Sequence, residues 1–245
     1  MSRRSIVFCS LAVVAAILFV RLGLWQLARL HEKVRRNAAI AAQQSQSPVQ
    51  FASLPRDTAA AQYRRATATG VFDYSNELVL SSRTHQGSPG VELVTPLRLA
   101  GSDTAVLVDR GWVYSPDGAS VDRSRWRERD SATVAAYVQQ YAPDAGSTAA
   151  ARDPRVVRRL SRREVSSRIP YPLAPYYLVQ TGDTASSHPV RREMPVLDDG
   201  PHRSYAIQWF FFAAIALVGA LAVMWQERGA PRHGAPRDAA RTMQH

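Results

Sequence analysis

A single cysteine stands in this chain of 245 residues, and it lies inside the first apolar run. Cys9 therefore excludes an intrachain disulfide, and no CxxC pair is present for zinc or thiol redox chemistry. Lysine is as scarce: of 31 basic side chains only Lys33 is not arginine. The formal net charge of +11 comes from arginines in scattered pairs such as Arg64-Arg65, Arg158-Arg159, Arg162-Arg163 and Arg191-Arg192. They form no stripe interleaved with aromatics, so nucleic acid is not expected as a partner, and anionic lipid or an acidic protein surface suits them better. His31, His85, His188, His202, His233 and His245 are dispersed, without metal-ligand spacing. There is no GxSxG, phosphate loop or dinucleotide fingerprint. Asp73, Glu77, Asp103 and Asp109 fall where turns and strand faces hold carboxylates, and Asp109 beside Arg110 reads as a structural ion. No residue set asks for an enzyme.

Charge is missing altogether from Ser204 to Gln226. That run of about 23 residues is ~34 Å long as a helix, enough to cross a bilayer. Asp198, Asp199 and Gly200 offer N-cap groups, and Pro201 suits a first helical position. A helix starting there places His202, Tyr205 and Trp209 at i, i+3 and i+7 on one face. Read alone, that face fits ordinary interfacial anchors beside a solvated histidine. Ser5 to Val20 is also uncharged, behind Arg3-Arg4. A cleaved signal peptide would begin similarly, but the apolar character resumes after Arg21 with no small-x-small site between. We predict transmembrane helices over 6–28 and 201–226, a short N-terminal segment over 1–5 and a tail over 227–245. Beyond the first helix, Trp25, Arg29 and Lys33 recur every four residues, as a snorkelling rim or as a stripe facing a partner. A helix extension and polar connector then occupy 29–63, with the connector proper at 38–50.

The mean hydropathy of −0.22 makes the membrane part a minority. Between the helices, short alternating runs divided by turn signals predict strands at 64–72, 77–85, 91–99, 104–114, 133–141 and 175–181. Residues 155–168 read as one basic helix. Short connections imply antiparallel neighbours, hence a β-rich α+β domain over 64–200 built as a sheet, sandwich or partial barrel. In the 106–113 run, Val106, Val108, Arg110 and Trp112 are expected on one face, with Trp112 in or beside the core and Gly111 permitting a bulge. The basic tails, with Arg3, Arg4, Arg228, Arg232, Arg237 and Arg241, place both termini in the cytoplasm and the domain outside it.

Five segments in order resemble the surfeit-locus protein 1 family of cytochrome c oxidase assembly factors. They are Leu22-Gly23-Leu24-Trp25-Gln26-Leu27-Ala28-Arg29 with Lys33; Gly70-Val71-Phe72-Asp73; Gly90 to Leu97; Val106 to Val113; and His202 to Phe210. The resemblance implies a non-catalytic role at the cell (inner) membrane, maturing the heme-bearing subunit I of the oxidase, with heme a as cofactor and heme a synthase as a further partner. It assigns His202 as axial ligand to the heme iron, Tyr205 and Trp209 as packing for the macrocycle, and Trp25 and Arg29 as neighbours, with Arg29 or Arg203 receiving propionates. The competing expectation is a membrane-anchored scaffold that grips subunit I and never holds heme.

Overall fold

The computed structural model describes residues 2–144, 153–182 and 189–229. The chain forms two compact units, one of residues 1–37 with 198–245 and one of residues 38–197. Its helices are α1 (Arg3–Gln44), α2 (Thr58–Ala61), α3 (Arg162–Ser166) and α4 (His202–Gly229).

In the first unit α1 and α4 run antiparallel. Ser5 meets Glu227, Cys9 meets the Ala220 carbonyl, Phe19 stacks on Trp209 and Gln26 meets His202. The seam has a heptad rhythm. Along α1, half-buried or buried residues recur at alternating steps of four and three from Ser5 through Ala16, Gly23 and Lys33 to Asn37. Along α4, Ala206, Ala213 and Ala220 are buried at steps of seven. Such a 3.5-residue period keeps one stripe facing its partner, and small residues let the backbones approach. Gly23 is the tightest point, since a Cβ there would stand 2.7 Å from the Phe210 ring. The outward faces are apolar and exposed, with Leu11, Val14, Ile215 and Leu221 among them. Both helices are long and apolar enough to cross a membrane.

Two local expectations are corrected here. Residues 38–44, expected as connector, continue α1, because an Ala-rich stretch carries no Gly or Pro before Pro48. Asp198 and Asp199 do not cap α4. The Pro201 carbonyl accepts the first helical bond from Tyr205 N at 3.1 Å, while the Asp198 carboxylate accepts from Gly200 N at 2.8 Å within the preceding turn.

The second unit is built from β1 (Val49–Gln50), β2 (Arg65–Phe72), β3 (Leu78–His85), β4 (Ser88–Leu99), β5 (Ala105–Tyr114), β6 (Ser131–Gln140), β7 (Val156–Val157) and β8 (Tyr176–Gln180). The six longer strands lie within a few residues of their predicted positions. Their order is β1-β2-β6-β8-β5-β4-β3-β7, and β2 also pairs with β4. That extra pairing closes β2, β6, β8, β5 and β4 into a five-strand ring. Alternation fills it: Ala68, Leu97, Val106, Val108, Val138 and Leu178 pack inside. Their neighbours Ala105, Leu107 and Val94 pack outside against Leu160, Val165 and Ile169. The expected basic helix at 155–168 is instead β7, a turn and α3. Val156 and Val157 pair parallel with Val79 and Leu80, and Ser161 caps α3 by accepting from Glu164 N.

Strand β5 also departs from simple alternation. Asp109 pairs with Val94 but Gly111 pairs with Leu93, so Arg110 is an extra residue, a bulge. Gly111 has φ +122, and a Cβ there would stand 2.3 Å from the Val190 carbonyl. The bulge moves Trp112 off the face of Arg110 and onto that of Glu92, its partner across β4. Trp112 is therefore half-buried at the domain surface, tilted against His85 with ring centroids 5.2 Å apart.

Candidate functional site

Where α4 begins, the chain makes a left-handed turn at Gly200, φ +71, and Asn37 of α1 holds that turn. The Asn37 amide donates to the Asp198 carbonyl at 3.1 Å and the Asp199 carboxylate at 2.9 Å. His202 follows, with Nδ1 2.8 Å from the Gln26 Oε1 atom. An amide oxygen only accepts, so Nδ1 carries a proton, and in the neutral imidazole the lone pair then lies on Nε2. Gly200 lies against this edge of the ring: a Cβ there would stand 3.9 Å from Nε2 and 3.0 Å from Lys33 Nζ. The arrangement offers one nitrogen donor, with a glycine turn and a cation near it.

The other predicted site residues are placed differently. Trp209 lies in the seam, its ring stacked on Phe19 at 5.7 Å and edge-on to Phe212 at 6.0 Å. Tyr205 points off the seam, 46% exposed. Trp25 is exposed, and the Arg29 guanidinium lies 5.9 Å from its ring while pairing with Glu32 at 2.9 Å. His202 thus meets Gln26 and lies near Lys33, rather than meeting Tyr205 or Arg29. Both partners lie on the heptad of Phe19, Gly23, Gln26, Leu30 and Lys33, a seam that a search for aromatic and cationic stripes passes over.

The domain holds two charge clusters. Inside, the bulge drives the Arg110 side chain into full burial, where it donates to Thr95 Oγ1 at 2.8 Å, Glu77 at 2.7 Å, Glu128 at 2.9 Å and the Trp126 carbonyl at 2.7 Å. The Tyr74 ring lies 5.0 Å from the guanidinium, and Arg191 joins Glu128 at 2.6 Å. Two arginines face two glutamates with their donors occupied, the condition under which a buried charge is tolerated. This cluster reads as architecture.

Outside, Glu92 and Asp109 are both buried beside Arg192, which reaches them at 3.2 and 3.6 Å. Burial, then the Glu92 charge, pushes the Asp109 carboxyl up to about 7; Arg192 opposes this only in part because it is half-exposed and lies nearer Glu92. Glu92 and Arg192 line an open cleft of about 850 Å³, together with Arg65, His85, Trp112 and Met194. Among the described residues no group of three or more His, Cys, Asp or Glu is placed to hold a metal ion.

Fold and site together define a class: two antiparallel helices, with a β-ring domain inserted between them in sequence and a lone histidine at the start of the second helix. The chain belongs to the SURF1 family, whose model matches residues 13–214. An uncharacterised SURF1-like protein of Mycobacterium tuberculosis is 31% identical over 211 residues, covering 82% of this chain and 76% of that protein. A SURF1-like protein of Drosophila melanogaster is 28% identical over 79% of this chain and 69% of its own length. The cytochrome oxidase assembly protein SHY1 of Saccharomyces cerevisiae is 30% identical over 94 residues, 38% of this chain and 24% of that protein.

Proposed function

We propose that this protein is a membrane-anchored assembly factor for cytochrome c oxidase that binds heme a at His202 and assists its insertion into subunit I. Family membership and the similarity to a yeast oxidase assembly protein support the assembly role. The observation that carries heme binding is the state of the imidazole. Gln26 accepts a hydrogen bond from Nδ1, leaving Nε2 of the neutral ring as a donor near Gly200 and Lys33. A porphyrin supplies four nitrogens of its own, so a single imidazole is a sufficient protein ligand, and no three-residue metal cluster is needed. When bound, the heme is cargo for the oxidase; the protein's part is to ligate, orient and release it. Trp209 contributes by holding α4 against Phe19 rather than by covering a macrocycle. Subunit I is the proposed recipient, heme a synthase the proposed source, and bilayer lipid the surroundings of both helices.

The test is spectroscopic. Protein purified from cells that make heme a should carry a Soret band. His202→Ala should abolish or shift that band while the chain still inserts and folds. Wild-type protein free of heme under those conditions would favour the scaffold reading. An unchanged spectrum in His202→Ala would remove His202 as ligand.

A further inference from the structure

We infer that Lys33 is the residue that receives a carboxylate of the porphyrin held at His202, a deepening that rests on the heme reading above. Four observations carry it. In a chain whose every other basic side chain is arginine, Lys33 is the one position occupied by an ammonium. It is half-buried on the seam rather than free on the outer face of α1. Among the described residues it has neither ion pair nor hydrogen bond, whereas Arg29, one turn earlier, is engaged with Glu32. The two nearby carboxylates have other partners, Asp198 the Gly200 N–H and Asp199 the Asn37 amide.

The fourth observation is distance. Lys33 Nζ and His202 Nε2 lie 3.0 and 3.9 Å from one point, the position a Cβ on Gly200 would take. They are therefore within 6.9 Å of each other, the sum of those two distances, with only glycine backbone between. An ammonium without an ion pair favours a bound anion. The anion must belong to a group whose other part coordinates Nε2, and a porphyrin joins a metal centre to flexible propionate arms. A compact ammonium fits against the Gly200 turn where a planar guanidinium would need more room. Arg29 and Arg203, the cations favoured by sequence position, are both exposed.

Full-length protein prepared in detergent without heme would be titrated with ferric protoporphyrin IX and, separately, with its dimethyl ester. Lys33→Met should weaken binding of the free acid about tenfold to a hundredfold, the range for one charge-assisted contact. It should leave the ester affinity and the Soret position of the bound porphyrin unchanged, because the axial ligand is untouched. Lys33→Arg should recover part of the loss. Equal affinity of Lys33→Met and wild type for the free acid would overturn the inference while leaving His202 in place. Loss of phosphatidylglycerol retention in Lys33→Met with porphyrin binding intact would assign the anion to a lipid headgroup, which also overturns it. If wild type binds neither porphyrin, the heme reading itself falls, and Lys33 falls with it.

Discussion

Two aspartates of the β domain hold their protons in opposite ways. Burial raises Asp73, but hydrogen bonds from Ser75, Asn76 and Tyr171 outweigh it and hold the carboxyl down at about 2. Asp109, raised to about 7 by burial and by Glu92, accepts the Gly111 N–H and shares Arg192 with Glu92, which lies nearer to it. The raised group binds its proton more tightly folded than unfolded. Its contribution is thus full below the unfolded value near 4 and is lost as pH climbs toward 7. Asp109→Asn should remove that decline, leaving the domain up to about 4 kcal/mol less sensitive to pH between 4 and 7, roughly three pKa units at about 1.36 kcal/mol each. Thermal unfolding of both proteins across that window checks it, and parallel curves would rule out Asp109 as the titrating group. The sequence reads Asp109, beside Arg110, as a structural ion, and two-residue alternation already sends the two side chains to opposite faces. What alternation does not show is the bulge that puts Trp112 on the face of Asp109 instead of that of Arg110, because the bulge depends on contact with Val190, about 80 residues away.

Strands were the legible elements, since two-residue alternation and Gly/Asn/Asp turns are local signals that six of eight strands carry. The two-residue strands β1 and β7 exist only because β2 and β3 offer them an edge, so no pattern of their own could announce them. Ring closure was invisible for the same reason: it depends on β2 reaching the far end of β4. The helices were legible by length and apolarity, but their mutual seam was not, because alanine and glycine carry almost no hydropathy contrast. That seam makes a specific prediction. Gly23→Val should strike the Phe210 ring and cost about 1–3 kcal/mol of helix-pair stability, the usual range for overpacking. Adding Phe210→Ala should restore much of the loss, so the double variant should melt above the Gly23→Val single variant in the same detergent. Additive losses would mean the helices do not pack through Gly23.

For the whole molecule the decisive matter is orientation. Two helices fit to cross a bilayer flank the domain in sequence, and we predict that both cross it and leave the arginine-rich tails in the cytoplasm. Alkaline phosphatase fused near Gly118 should then be active, and fused after Arg232 inactive. The reverse pattern would turn the protein over and place residues 38–197 in the cytoplasm.

The hydrogen bond between Gln26 and His202 joins residues 176 positions apart. At 5–20 residues per second, a ribosome needs roughly ten to thirty seconds to travel from one to the other. Throughout that interval α1 is present but has no imidazole to hold, and Lys33 has no glycine turn beside it. Under the heme reading proposed above, a nascent or truncated chain would have no means of capturing porphyrin. Competence to load would then arrive only with α4, after the whole β domain has been made, and cargo would be accepted by finished molecules alone.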